Sequence, residues 1–302
     1  MEHYDILIIG GGAAGIAAAK AAAGAKVLLA EQRPSLGGVL LQCTHQGFGK
    51  NKSGIEYAAE LLQDFPEGIT LALETTVVSV SENRTALLCG RDFGRREIGF
   101  SRLILATGCR EIPMGALGIG GTRPRGVYTA GQMQEMMNLH GFVPEGPVVI
   151  LGSGDLGLIL AKQLAERGLQ VVLVEQKQIC GGMARNQRCL EEYPIRLLCG
   201  DTIREVQGFP AITGCVTERG IAIPCKTLLI AAGLRPEREL VCHLGEPEWL
   251  HICGNCRTVH PMVEAVVSEG KQAGNAALKG VRCAYDRSIR TGDYIPADFP
   301  HG

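Results

Sequence analysis

The sequence predicts an α/β protein of two similar parallel-sheet units, the second inserted in the first, each with a small antiparallel β-meander. Three observations predict it. A strand, glycine turn, helix and strand occur twice with the same internal spacing. Short alternating apolar runs, broken by turn residues, lie between them. A last strand and helix follow the second unit and are assigned back to the first.

Composition fits this class. The 302 residues suit two domains of ordinary size. Apolar residues make up 46% and charged residues 20%, enough for packed cores and unlike a disordered chain. Lys and Arg total 30 against 31 acids, and aromatics are 5%, so neither the basic excess nor the stacking surface of a nucleic-acid binder is present. No basic segment precedes the first apolar run, and no uninterrupted apolar stretch approaches the roughly 20 residues of a membrane span. The 12 cysteines are too scattered for a disulfide scaffold and read as thiols of a reducing compartment. The expected location is the cytoplasm, with no membrane span.

The first unit is DILIIGGGAAGIAAAKAAAGAKVLLAEQ. Asp5 to Ile9 is a continuous apolar run, as a strand buried on both faces requires. Ala13 to Ala23 is a helix of small residues, Lys26 to Ala30 the next strand, and Glu31 closes it. Gly10, Gly12 and Gly15 form G-x-G-x-x-G. The first glycine makes a tight turn, the second lets backbone approach a pyrophosphate, and the third lets the helix pack on the strand. The helix N-terminus offers free N–H groups to phosphates, and Glu31 can accept from a ribose. The pattern is weak alone and strong when strand, helix and closing acid bound it.

The unit recurs as VVILGSGDLGLILAKQLAERGLQVVLVEQ, with Gly152, Gly154, Gly157 and Glu175 in the corresponding places. EQRPSLGG is answered by EQKQICGG, and ILATG, ending at Gly108, by LIAAG, ending at Gly233. Two dinucleotide sites are therefore expected. Thr70 to Ser101 reads as antiparallel meander, and Gly115 to Gly126 as a linker crossing between domains. A strand at Leu250 to Cys253 and a helix from about Val263 to Lys279 are expected to rejoin the first domain. The expected domains are 1–113 with 244–302, and 114–243.

The layout resembles the flavoproteins with two dinucleotide-binding (Rossmann-like) domains, the pyridine nucleotide–disulfide oxidoreductases. GGVLLQCTHQGFG, ATGCRE, TRPRGVYTAG, LGSGDLGLI, GGMARN and CGNCRTVH resemble one subgroup. These are the FAD/NAD-linked subunits of amine and amino-acid dehydrogenases, related to opine oxidase and hydrogen cyanide synthase subunits. The resemblance implies FAD in the first domain and NAD(H) in the second. It implies that Gly10, Gly12, Ala14 and Gly15 cradle the FAD pyrophosphate while Glu31 takes the ribose. Gly37 and Gly38 would pass close to the flavin, and Thr107 and Gly108 would close over the dinucleotide. Gly254 and Asn255 would approach ribityl or phosphate oxygens, and the helix from Val263 would aim its N-terminus at the flavin. Asn255 stands where the broader superfamily has Asp. Gly152, Gly154, Gly157, Glu175 and Gly233 would hold NAD(H), with Glu175 favouring it over NADP(H) and Lys177 softening that preference.

No dedicated acid or base need exist, because a flavin carries the hard step. Cys43 and His45 follow the Gly37–Gly38 turn and are either flavin neighbours or a packed thiol and a loop imidazole. His260 is a ribityl contact or a structural histidine. Cys253-x-x-Cys256 invites a dithiol or metal reading, but Cys242-His243 does not complete a known ligand spacing, so no metal is expected. Trp249, Glu191-Glu192 and Arg95-Arg96 read as packing and solvated faces.

The expected function is that of a subunit of an FAD-dependent oxidoreductase. It would move hydride or electrons between NAD(H) and flavin, and on to a second flavoprotein dehydrogenase or an iron–sulfur protein. The alternatives are a stand-alone NAD(P)H-dependent flavin reductase and a non-catalytic subunit that only holds nucleotide. Tyr285, Tyr294 and Phe299 in the tail would either anchor a partner or pack on their own domain.

Overall fold

The structure, a computed structural model, describes residues 1–283 and 285. Among the described residues it comprises two compact units, Met1–Arg110 with the chain from Arg235 to Tyr285, and Glu111–Leu234.

The first unit opens with β1 (Glu2–Ile9), α1 (Ala13–Ala21) and β2 (Val27–Ala30). Every residue of β2 is buried, as a strand covered on both faces demands. A short hairpin, β3 (Gln46–Phe48) and β4 (Lys52–Ser53), leads into α2 (Gly54–Leu62), which starts with a capping box between Ser53 and Glu56. Next come β5 (Thr70–Ala72), β6 (Thr75–Val80), β7 (Thr85–Gly90) and the long β8 (Gly94–Leu105).

β1 pairs in parallel with β2 and β8, and β2 in parallel with β5. Thr70–Ala72 is thus the outer parallel strand, not the start of the meander that alternation suggested. Three residues are too short to show a period, and the pairing with β2 decides. The meander is β6, β7 and β8. β8 serves both arrangements: Gly94–Gly99 pairs antiparallel with β7, while Leu103–Leu105 lies between β1 and the returning strand.

The chain crosses at β9 (Cys109–Glu111) and returns at β19 (Leu234–Pro236), and these two strands pair. The second unit holds β10 (Gly120–Gly121), β11 (Val127–Thr129), α3 (Ala130–His140), β12 (Val148–Leu151), α4 (Asp155–Glu166), β13 (Val171–Glu175), α5 (Ala184–Gln187), α6 (Cys189–Glu192), β14 (Arg196–Cys199), β15 (Ile203–Gln207), β16 (Gly214–Thr217), β17 (Ala222–Pro224) and β18 (Thr227–Ile230). Its parallel sheet runs β11-β18-β12-β13-β14, and a second sheet runs β10-β15-β16-β17. Gly120–Gly121 pairs with β15, so the Gly115–Gly126 stretch expected as a linker lies inside this unit. Glu111 caps α3, accepting the N–H groups of Gly131 at 2.6 Å and Gln132 at 3.2 Å.

The return at Arg235, rather than at 244, has a packing reason. Val241, in the helical turn Glu239–Leu244, is 2% exposed within the first unit's core beside Phe100 and Trp249. β20 (Leu250–Ile252) then joins β8 in parallel, and α7 (Val263–Lys279) packs on α1. That contact is built from small residues: a Cβ on Gly270 would lie 2.2 Å from the Ala14 carbonyl oxygen, and one on Gly274 2.3 Å from that of Ala18. Among the described residues, no helix is long and apolar enough to cross a membrane.

Candidate dinucleotide sites

The turn between β1 and α1 is made by close backbone contact. Gly10 has φ +101°, and a Cβ on Gly15 would stand 1.8 Å from the Gly10 carbonyl oxygen. At Gly12, by contrast, a Cβ would meet nothing within 4 Å. Gly12 caps α1 without any side-chain hydrogen bond, and no acid lies in the first turn. This open floor beneath bare helical N–H groups fits a dinucleotide pyrophosphate. Glu31, 6% exposed, accepts the Gly11 N–H at 2.6 Å through Oε2 and the Arg33 N–H at 2.7 Å through Oε1. One lone pair on each oxygen remains for a ribose hydroxyl. The Gly37 N–H donates to the Gly11 carbonyl at 2.8 Å, and a Cβ on Gly38 would lie 3.0 Å from Gly12 Cα.

From the other side, Ala106, the residue before Thr107, touches Gly10, and a Cβ on Gly254 would meet that of Ala14 at 2.8 Å. The fold therefore gathers Gly10, Gly12, Ala14, Gly15, Glu31, Gly37, Gly38, Thr107, Gly108, Gly254 and Asn255. The Thr107 hydroxyl donates to the Glu237 carbonyl at 2.7 Å. Asn255 is a staple of its own turn: its Oδ1 accepts the His260 N–H at 3.0 Å, and its amide lies 3.8 Å from Cys109 Sγ.

Glu269, which sequence reasoning missed, is buried beneath that turn. Its carboxylate accepts from the Gly254 N–H at 2.8 Å, His260 Nε2 at 2.9 Å and the Arg257 guanidinium. Burial alone would raise its pKa, but the His260 and Arg257 hydrogen bonds and the Arg257 charge hold it below the usual carboxylate range. His260 bonds this carboxylate through Nε2, and its Nδ1 is buried with no partner among the described residues. One signal was present in sequence: Glu269 stands in helical phase with the buried Ala273 and Ala277. α7 starts at Val263 without a side-chain cap, and Glu264 in its first turn accepts the Gly49 N–H at 3.1 Å.

Cys43, Cys253 and Cys256 are packed in this unit, whereas Cys89 and Cys242 are exposed. Cys43 is buried, donates to the Val39 carbonyl at 3.3 Å, and burial pushes its thiol up to about 12. His45 rests on Phe48 with ring centroids 5.3 Å apart. Cys253 and Cys256 are fully buried, each facing the Leu105 carbonyl, at 3.7 and 3.1 Å, and burial raises both thiols. Among the described residues no group of three or more His, Cys, Asp or Glu is placed to hold a metal. Trp249 packs on Phe100 at 5.6 Å, while Glu191, Glu192, Arg95 and Arg96 are exposed. Tyr285 packs on its own unit, its hydroxyl donating to the Ile252 carbonyl and its ring 4.3 Å from the Arg257 guanidinium. Tyr294 and Phe299 lie outside the described residues.

The second unit repeats the glycine contacts and the glutamate hydrogen bonds of the first. A Cβ on Gly152 would meet the Ala231 carbonyl oxygen at 2.3 Å, and one on Gly157 the Gly152 carbonyl oxygen at 2.2 Å. Glu175, 8% exposed, accepts from the Ser153 N–H at 2.8 Å and the Lys177 N–H at 2.9 Å, as Glu31 does from Gly11 and Arg33. The Gly182 N–H donates to the Ser153 carbonyl at 2.9 Å, a bond like that of Gly37 to Gly11 but made by the second glycine of the pair instead of the first. Gly154 caps α4 without a side-chain bond. Gly233 closes the set at φ +123°.

Two differences were not anticipated. The Ser153 hydroxyl donates to Glu175 Oε2 at 2.7 Å and accepts the Gly181 N–H at 2.8 Å. Asp155 stands in the first turn of α4, its Oδ1 accepting from the Met183 N–H at 2.8 Å and Asn186 Nδ2 at 2.6 Å.

Comparison with known sequences decides the family. The sequence model of the pyridine nucleotide-disulphide oxidoreductases matches residues 4–263, most of the chain. The chain belongs to the pyridine nucleotide-disulphide oxidoreductase family. It is thus a flavin-dependent oxidoreductase by family, of a group that binds FAD and NAD(P). It is 29% identical over 274 residues to the alpha chain of sarcosine oxidase from Rhizobium meliloti (strain 1021), covering 82% of this chain and 26% of that protein. It is 32% identical over 202 residues to an opine oxidase subunit of Agrobacterium tumefaciens (strain Ach5), covering 61% and 40%. The chain therefore spans well under half the length of these relatives. In fold it is similar to the thioredoxin reductase of T. acidophilum, with a TM-score of 0.75 at 18% identity over 92% of this chain and 99% of that one.

Proposed function

We propose that the first unit of this oxidoreductase holds FAD, that the second holds NAD(H), and that the chain is a subunit passing electrons to a partner protein. The observation that carries the reading is the duplicated turn, in which a buried glutamate braces each G-x-G-x-x-G in the same way and a second glycine pair bonds its backbone. A flavin held at Gly10, Gly12, Gly15 and Glu31 would supply the chemistry of taking hydride from a reduced nicotinamide and giving up electrons onward. The chain's own residues bind and orient. Gly12 leaves room for the pyrophosphate, Glu31 takes ribose hydroxyls, and the buried, unpartnered His260 Nδ1 is available to a ribityl hydroxyl. In the second unit, Glu175 keeps one open lone pair on Oε1 for a ribose hydroxyl and repels a 2′-phosphate. The partner part of the reading rests on the relatives' names, since two of them are named as enzyme subunits. The partner would be a second flavoprotein dehydrogenase or an iron–sulfur protein, and the location cytoplasmic.

Anaerobic titration of the purified protein with NADH, followed by flavin absorbance, tests the redox part. Bleaching with stoichiometric NADH is the expected result. Bound nucleotide without bleaching would replace it with the nucleotide-holding role. Native mass measurement after affinity purification from the source cell tests the partner. A homogeneous monomer or homodimer that turns over NADH with a small acceptor would make the chain a stand-alone reductase.

A further inference from the structure

The Gly254–Arg257 turn is fixed by one side chain from a distant element. Glu269 lies within α7, 1% exposed, on a helix face otherwise made of Gly270, Ala273, Gly274 and Ala277. Taking a carboxylate out of water is costly unless it is fully paired, so a buried ion pair is by itself weak evidence of a gain in stability. Stability alone is therefore a poor account of this glutamate. Its partners give a better one: the Gly254 N–H on Oε2, and His260 Nε2 with the Arg257 guanidinium on Oε1, all from one short loop. Arg257 is confined between that carboxylate and the ring of Tyr285. The restrained turn abuts Ala14, in the first turn of α1, whose bare N-terminus is the anion-binding end of the first site.

We propose that Glu269 is the positioning residue of the first dinucleotide site, setting the Gly254–Arg257 turn at the distance from α1 that the cofactor requires. It acts through Gly254, His260 and Arg257 and is not itself a cofactor contact. The inference rests on the reading that this unit holds FAD.

The test uses the full chain stripped of flavin, with FAD as the probe and Glu269→Gln and Glu269→Leu as variants. Gln keeps an acceptor for the Gly254 N–H but cannot accept from Arg257 as well. Leu removes every bond at similar volume. Hydrogen bonds to a charged group have strengths that convert to roughly 10- to 150-fold in affinity. FAD dissociation constants, read by flavin fluorescence, should therefore rise about 10-fold for Gln and about 100-fold for Leu. The apoprotein's thermal midpoint should fall in Leu, which strands the Gly254 N–H, His260 and Arg257, and fall much less in Gln. NADH binding by the second unit should stay at the wild-type value. Dissociation constants within about 3-fold of wild type for both variants would overturn the proposal. So would a Gln variant whose FAD affinity falls only in proportion to its apoprotein stability, since that marks a merely structural role. A wild-type protein that takes up no FAD would instead remove the first-site reading, and this inference with it.

Discussion

Adding one methyl group to Gly12 should weaken cofactor binding while leaving the fold intact. Gly12 has φ −77° and ψ −169°, a conformation any residue adopts, and a Cβ there meets nothing within 4 Å. Losing backbone freedom in the unfolded chain stabilises an alanine at a compatible site by about 0.4–1 kcal/mol. Replacing glycine at a helix N-cap costs on the order of 0.5–1 kcal/mol. The two nearly cancel, so stability should move by less than about 1 kcal/mol. The methyl, however, projects into the floor on which a pyrophosphate would lie. Overpacking of about 1–3 kcal/mol converts to roughly 5- to 150-fold weaker FAD binding.

Gly15→Ala is the control with the opposite outcome. An exposed helical Gly→Ala change gains about 1 kcal/mol. Here, though, the new Cβ would sit 1.8 Å from the Gly10 carbonyl oxygen, so β1 and α1 must separate. A loss on the order of 3 kcal/mol or more is expected. Urea unfolding of the apoproteins, followed through the single buried tryptophan, Trp249, gives the stabilities, and FAD titration gives the affinities. Wild-type FAD affinity in Gly12→Ala, or wild-type stability in Gly15→Ala, would refute the reasoning.

Further outcomes are expected. His251 is 2% exposed, both ring nitrogens lack a partner among the described residues, and burial with the nearby Arg102 charge lowers its pKa to about 4. The folded state thus resists protonation that the unfolded chain accepts. Stability should be full above pH 6.5 and fall by about 3 kcal/mol as pH drops towards 4, a slope that denaturation of His251→Leu should lack. The second site should bind NADH more tightly than NADPH, and Glu175→Gln should narrow the gap, as competitive titrations would show. Replacing Cys253 and Cys256 together by serine should cost about 1–3 kcal/mol of stability, because two hydroxyls enter an apolar site. Flavin reduction by NADH should persist in rapid-mixing experiments, and its loss from a folded, FAD-loaded variant would restore the dithiol reading.

Local features were legible in the residues themselves. Gly10, Gly12, Gly15 and Glu31 sit in one short strand-turn-helix-strand segment, where spacing specifies the turn and side-chain size specifies the packing. The repeat at Gly152 to Glu175 was legible for the same reason, and the two copies match in hydrogen bonding as well as in spelling. Whatever depends on partners far along the chain was settled by the folded arrangement instead. Thr70–Ala72 is a parallel strand because β2 lies beside it, and Val241 belongs to the first unit because Phe100 and Trp249 surround it. Glu269 and Gly254 meet because α7 lies on α1 through Gly270 and Gly274. A carboxylate in a helix reads as solvated until the neighbouring element is known. Which charges are buried, and what they hold in place, is set by contacts between distant segments, and residue spacing within one segment carries no record of them.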